Sequence, residues 1–298
     1  MSRTLLLRRL LVVSLVVIGA VVFKPWPTTL LPTLMSRAQE TPDDAVSLSR
    51  SLDGTSLELR LDCLKSATID PEPSLSGRIE VAATADSQNV LDGLGLTGGT
   101  VARLEYSGRC TGHFFSDPSL ALTIKVPPAT PIDLRETGSS DYRIGAVGGP
   151  LKLDLSGSGD IEVAQASDLN LRISGSSDVK IGRLDGTGSV YVAGSGDVAI
   201  DHAAMPSLAV ELRGSGDVSI DDARIDALTA STAGSGDISV DGTVKDATLS
   251  ATGSGDIKLE KATGQVQQHT AGSAEIHIGR RTQRKIQRRS RGVTLIST

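Results

Sequence analysis

Aromatic side chains make up only 2% of this 298-residue chain, and Tyr191 is the single ring between residues 143 and 279. A core built without rings must be filled by Val, Ile, Leu and Ala, which suits thin repeated layers better than a globule with a bulky centre. The same scarcity argues against a sugar-cleaving groove, which would set aromatic platforms beside clustered Asp, Lys and Arg. Cysteine is nearly absent as well. Cys63 and Cys110 stand alone, outside any Cys-x-x-Cys or His/Cys pattern, so they suggest no metal centre. In an exported chain they would form a disulfide or remain two separate thiols. Positive charge is missing where nucleic acid would require it: residues 41–279 carry 18 basic and 34 acidic side chains, so nucleic acid is excluded as the main partner.

Long apolar runs are also lacking. The run from Leu10 to Phe23 is fourteen residues, short for a membrane span but right for the core of a signal peptide. Arg3, Arg8 and Arg9 precede it, and Ser36-Arg37-Ala38 offers a cleavage site. Residues 1–40 are therefore expected to be a signal peptide or an uncleaved N-terminal membrane anchor, with residues 10–26 at the membrane. Both place the chain in the periplasm or on the cell surface. No cysteine follows the apolar run, which excludes a bacterial lipoprotein anchor.

The abundant residue is glycine, at 32 copies, and it recurs in register. Gly138-Ser-Ser-Asp141, Gly157-Ser-Gly-Asp160, Gly175-Ser-Ser-Asp178, Gly194-Ser-Gly-Asp197, Gly214-Ser-Gly-Asp217, Gly234-Ser-Gly-Asp237, Gly253-Ser-Gly-Asp256 and Gly272-Ser-Ala-Glu275 are spaced 18 to 20 residues apart. Aliphatic residues alternate on both sides of each motif: Leu151, Leu153 and Leu155 precede one and Ile161 and Val163 follow it. Period two means half-buried strands. A repeat of 19 residues is too short for a helix pair and too long for a plain hairpin. It fits one coil of a solenoid, with like strands stacked parallel about 4.8 Å apart. The predicted fold is all-β, a right-handed parallel β-helix, over residues 127–279. Residues 41–126, less regular but still alternating at Leu57, Leu59 and Leu61, would form an irregular β cap or degenerate first coils.

The repeated turn suggests its own chemistry. Gly157, Gly175, Gly194, Gly214, Gly234, Gly253 and Gly272 would supply a backbone angle that a Cβ opposes. The Ser and Asp side chains would bond nearby backbone groups or one another up the rod. Stacking also piles Asp141, Asp160, Asp178, Asp197, Asp217, Asp237, Asp256 and Glu275 into an acidic ladder, whose neighbours repel by about 1 kcal/mol each in a water-like dielectric. Hydrogen bonds from turn N–H groups would offset this. A row of Ca²⁺ ions is the alternative, although the nine-residue period and second turn of the known calcium repeat are missing. No catalytic set emerges. The Gly-rich turns lack the Lys-Ser/Thr of a phosphate loop, and His113, His202, His269 and His277 occupy no repeated position.

Residues 280–298 carry seven basic side chains and no acidic one. Arg280, Arg281, Arg284, Lys285, Arg288 and Arg289 would share one helix face. They read as a solvated tail or as a contact for anionic lipid headgroups or a wall polymer. The terminal Val293-Thr-Leu-Ile has the alternation of a closing strand.

The strand ending in a proline step (Leu122–Pro127), the Leu134-x-x-x-Gly138-Ser139 start and the repeated Gly-Ser-Gly-Asp-[Ile/Val] turns resemble the putative auto-transporter adhesin head GIN domain, over roughly residues 45–279. That resemblance implies a β-helix in the cell envelope and no catalytic, metal or cofactor residues. The expected function is an exported, non-enzymatic scaffold of the bacterial cell envelope, holding an unidentified protein or envelope polymer. The alternatives are a Ca²⁺-stabilised solenoid and a carbohydrate-active β-helix enzyme.

Overall fold

Alternating aliphatic and polar residues give every strand one apolar face, and no single coil can bury that face alone. In the computed structural model, which describes residues 45–107 and 119–281, the answer is an all-β solenoid of about eight coils with parallel stacked strands. In chain order the N-terminal part contributes β1 (Val46–Asp53), β2 (Ser56–Asp62), β3 (Ser66–Pro71), β4 (Arg78–Ala85), a short helix α1 (Gln88–Asp92), β5 (Leu94–Thr97), β6 (Val101–Ser107) and β7 (Ala121–Val126). The repeats contribute β8 (Ile132–Glu136), β9 (Asp141–Ala146), β10 (Leu151–Leu155), β11 (Ile161–Ala166), β12 (Leu169–Ile173), β13 (Val179–Leu184) and β14 (Thr187–Val192). The longer β15 (Val198–Leu212), β16 (Val218–Gly234) and β17 (Ile238–Gly253) follow, then β18 (Ile257–Ala262), β19 (Val266–Gly272) and β20 (Ile276–Arg281).

Each Gly-Ser corner joins two parallel stacks. The strands before the corner pair in the order β8, β10, β12, β14, β15, β16, β17, β19. Those after it pair β9, β11, β13, β15, β16, β17, β18, β20. Register aligns like with like. Leu134, Leu153, Leu171, Val190, Val210, Ala230 and Leu249 form one buried row, and Ile144, Val163, Ile181, Ile200, Ile220, Val240 and Leu259 form another. Each fully buried side chain of this size stabilises by about 1.5–3 kcal/mol relative to exposure. In β15, β16 and β17 the chain runs through the third side as one continuous strand. Earlier coils break there, at Gly148-Gly149-Pro150, Ser167-Asp168 and Asp185-Gly186, where turn-forming residues interrupt the alternation.

The N-terminal part forms a cap, with an order that the sequence conceals. β2 and β3 make a coil that stacks directly under β8 and β9. The next coil outward is β6 and β7, which follow later in the chain. The first coil is thus sandwiched between two later ones. The link Pro127-Pro128-Ala129-Thr130-Pro131 carries the chain past it, with Ala129 in the left-handed region at φ 63. The outer edge is then closed by antiparallel strands: β4 on β7, β1 on β4, and β5 on β6. Antiparallel strands end the parallel stack and cover its N-terminal edge.

Candidate functional site

At the corners, the expectation about glycine needs correction. Of the seven corner glycines from Gly157 to Gly272, only Gly253 (φ 107) and Gly272 (φ 88) have a positive φ. The requirement is proximity instead. A Cβ on Gly157, Gly175, Gly194, Gly214 or Gly234 would collide with the carbonyl oxygen of the corner glycine one coil below, well inside van der Waals contact. The second glycine obeys the same rule: Gly196, Gly216, Gly236 and Gly255 lie over the carbonyl of the residue beneath. The serine at each corner contributes its backbone. Ser195 N–H donates to Gly175 O at 3.1 Å, Ser215 to Gly194 O at 3.0 Å and Ser235 to Gly214 O at 3.0 Å. The backbones of successive coils bond directly, and only a residue without a side chain lets them come that close.

The acidic ladder is aligned as expected and is held by backbone donors. The N–H of Asp197 donates to Asp178 Oδ1 at 2.9 Å, that of Asp217 to Asp197 at 2.8 Å and that of Asp237 to Asp217 at 2.8 Å. Asp256 bonds Asp237 at 2.8 Å, Glu275 bonds Asp256 at 2.9 Å and Asp160 bonds Asp141 at 3.2 Å. Each such carboxylate spends one oxygen on the coil above, and these charge-assisted bonds offset the repulsion between neighbours. Lys258 adds a further contact to Asp237 Oδ2 at 3.4 Å. Among the described residues, no three His, Cys, Asp or Glu side chains come together as a metal site. Adding Ca²⁺ or a chelator is expected to leave the thermal midpoint unchanged; a rise with Ca²⁺ would restore the calcium reading. Replacing Asp217 by Asn keeps the Oδ1 acceptor and should be nearly neutral in urea unfolding, whereas Asp217→Ala should cost about 1 kcal/mol.

Cys63 is disulfide-bonded. Cys110, the other cysteine of the sequence, lies outside the described residues, as do residues 1–40 with their expected signal or anchor. A peptide map without reduction is expected to yield a linked Cys63–Cys110 pair, and a link between two Cys63 peptides would contradict this. Of the basic residues singled out, Arg280 and Arg281 continue β20 in their backbone, and Arg284, Lys285, Arg288 and Arg289 lie outside the described residues.

A buried polar cluster escaped the sequence reading. Glu136 ends β8 and aligns with Leu61 below and Leu155 above, both fully buried. Its own exposure is 0%. Oε1 receives a long 3.5 Å bond from Ser140 N–H, and Oε2 has no partner. Burial holds its pKa above the ordinary carboxylate value, Asp62 adds to the rise, and the N–H groups of Ser140 and Gly138 oppose it. Tyr142, the first inward residue of β9, is buried beside it, and burial likewise pushes up its hydroxyl pKa. Ser140 Oγ accepts the Leu64 N–H at 2.8 Å, tying this corner to the sandwiched coil. The signal was present in the parity: Ile132, Leu134 and Glu136 share one face of the strand.

On the outside, the polar alternates form rows across the coils. Arg135 meets Asp154 at 3.4 Å, Lys152 meets Asp133 at 2.7 Å and Arg143 meets Glu162 at 3.1 Å. The Arg172 guanidinium lies over the ring of Tyr191 at 4.6 Å, and that of Arg213 stands 5.9 Å away. Where the early coils break on the third side, a groove of ≈ 590 Å³ runs across Leu57, Ile132, Leu151 and Leu169. Asp168 borders it and receives both the N–H and the hydroxyl of Thr187 at 2.7 Å, which lowers its pKa.

The sequence that folds into these stacked corners matches a known family profile, Toastrack DUF4097, over residues 58–295. The chain belongs to the Toastrack DUF4097 family. The narrower likeness to the adhesin head GIN domain remains a resemblance. No curated protein matches the sequence of this Toastrack chain. Several solved structures share its fold. A putative lipid binding protein from Parabacteroides distasonis ATCC 8503 superposes with a TM-score of 0.58 at 18% identity, covering 78% of this chain and 96% of its own. A putative adhesin from Bacteroides fragilis NCTC 9343 gives 0.52 at 16% identity, covering 80% and 98%. A putative adhesin from Parabacteroides merdae ATCC 43184 gives 0.50 at 15% identity, covering 79% and 96%. At such identities the likeness is one of fold.

Proposed function

We propose that this Toastrack chain is an exported, non-enzymatic scaffold of the bacterial cell envelope that holds a protein or polymer partner along its outer strand faces. The carrying observation is the in-register stack. It lines up outward side chains at about 4.8 Å intervals on a rigid frame and keeps the chemistry of the corners occupied with the backbone. Tyr191 between Arg172 and Arg213 is the outward position richest in the residue types that anchor interfaces. Export is supported by the basic-then-apolar start of the sequence and by the disulfide at Cys63, a bond kept in oxidising compartments. The fold relatives described as putative adhesins, and the adhesin-head resemblance of the repeats, favour the same reading. The test is binding of the purified chain to intact envelopes and to isolated envelope polymers, with Tyr191→Ala and Arg172→Ala as variants. Saturable binding weakened by both supports the scaffold, and none at all removes it. N-terminal sequencing of protein recovered from envelope fractions tests export; recovery in the cytoplasm alone would contradict it.

A second reading rests on the groove over Leu57, Ile132, Leu151 and Leu169. Its apolar floor, together with the lipid-binding description of one fold relative, favours an acyl chain as ligand. Co-flotation with phospholipid vesicles that is lost in a Leu151→Asp variant would support it, and no flotation of the parent chain would dispose of it.

A further inference from the structure

The groove on the third side has a direction that follows from the stacking. Its walls come from six coils in succession: β6 at Val101, then β2, β8, β10, β12 and β14 at Gly188. Five steps of about 4.8 Å make a trough about 24 Å long, parallel to the solenoid axis. It stops at β15, where the third side becomes continuous strand. Val101, Leu57, Ile132 and the exposed Pro131 line the end nearer the cap. The acidic groups on the rim are met in different ways. Glu58 is held by Arg60 at 2.6 Å and Arg103 at 2.7 Å, and Asp133 by Lys152 at 2.7 Å. Asp168 has no cation beside it among the described residues. Both hydrogen bonds it receives from Thr187 fall on Oδ1. They hold its carboxyl below the ordinary pKa, so it is ionised at neutral pH.

We infer that the trough takes a phosphoethanolamine lipid, with its ammonium on Asp168, its phosphate toward Lys152 and an acyl chain over Ile132, Leu57 and Val101. This rests on the acyl-chain reading of the groove given above and adds the headgroup. Three observations carry it. First, Asp168 is an unmet charge beside an apolar trough. A primary ammonium brings three N–H donors to it as charge-assisted hydrogen bonds, which a quaternary ammonium cannot donate. Second, the order of the wall groups matches the order of the lipid. Leu169 aligns with Leu151, so Lys152 lies one coil toward the cap from Asp168 and two residues along the strand, about 8 Å between Cα atoms. Its ammonium has three donors and spends one on Asp133. Beyond Lys152 the floor turns to Ile132, Leu57 and Val101, and the acidic groups there already carry their cations. Third, a volume of ≈ 590 Å³ falls within the usual range of small-ligand sites, about 300–1,000 Å³.

The experiment titrates the full chain, by calorimetry, with lysophosphatidylethanolamine, lysophosphatidylcholine and lysophosphatidylglycerol of one acyl chain length, each kept monomeric. The ethanolamine lipid should bind about tenfold tighter or more than either of the others. Asp168→Asn keeps the Oδ1 acceptor for Thr187 and removes the charge, and the preference over the choline lipid should fall to near unity. Equal affinities for the three lipids in the parent chain would overturn the headgroup assignment and leave an acyl chain in the groove. A preference that survives in Asp168→Asn would overturn it too. No binding of any of the three would remove the acyl-chain reading with it. The ranking in the parent chain decides alone if the variant fails to fold.

Discussion

Gly214→Val is expected to destabilise this chain by about 3–5 kcal/mol or to abolish cooperative folding, at the far end of what single substitutions do. A side chain at Gly214 meets the carbonyl oxygen of Gly194, with the rest of the Gly194 backbone behind it. Neither can retreat. Gly194 O is the acceptor of the Ser215 N–H at 3.0 Å, and the Gly234 corner presses on Gly214 from the next coil in the same way. Two controls separate this cause from others. Ser215→Ala changes an exposed hydroxyl and should stay within about 0.5 kcal/mol. Gly148→Ala falls at φ 63 with open space around it, so it tests backbone angle alone and should cost about 1 kcal/mol. If Gly214→Val proved as mild as Gly148→Ala, close approach would not be the reason for glycine at the corners.

The second large effect has the opposite sign. Glu136→Gln should stabilise the protein at neutral pH, because burial disfavours the ionised carboxylate and the amide carries no charge. Gln keeps an acceptor for the Ser140 N–H and removes the ionisable group. Linkage gives the pH dependence. The folded pKa is raised above its ordinary value by burial, so between the two values the folded state holds a proton that the unfolded chain has lost. Stability therefore falls as pH rises above the ordinary carboxylate range, and levels off beyond the raised folded value. Glu136→Gln should lack that fall. The groups facing the carboxyl are Asp62 from β2 and Tyr142 from β9. Asp62 takes the Thr137 hydroxyl at the surface, and Tyr142 stays protonated throughout. Parallel urea titrations across pH would show the parent and variant curves converging at low pH. Curves that stay parallel at every pH would mean that Glu136 is ionised in the folded state.

The coil period, the corner alignment and the inward rows were legible because each depends on local alternation and on a motif repeated eight times. The role of the corner glycines is not legible in the sequence, for a physical reason. A short turn read alone suggests a positive φ, whereas the actual constraint comes from the backbone one coil away. The sandwiching of β2 and β3 between later coils was hidden because residues 56–126 have no Gly-Ser corner to count. Asp62-Cys63-Leu64 fills that place instead, with Cys63 at φ 60. Glu136 is readable from parity alone, since it shares the inward face with Ile132 and Leu134, but it occurs once, and its counterparts Leu61 and Leu155 give no repeated signal. The outward rows show what can be presented to a partner, and their mixed charges do not single out its chemistry.

Stacking in register is the claim on which the rest depends, and spin-label distances test it most directly. Labels on the exposed corner position Ser158 paired in turn with Ser215, Ser235, Ser254 and Ser273 span three, four, five and six layers. The separations should grow steadily, to about 14, 19, 24 and 29 Å at 4.8 Å per layer. Distances that fail to rise with layer number, or that scatter between pairs, would contradict the account.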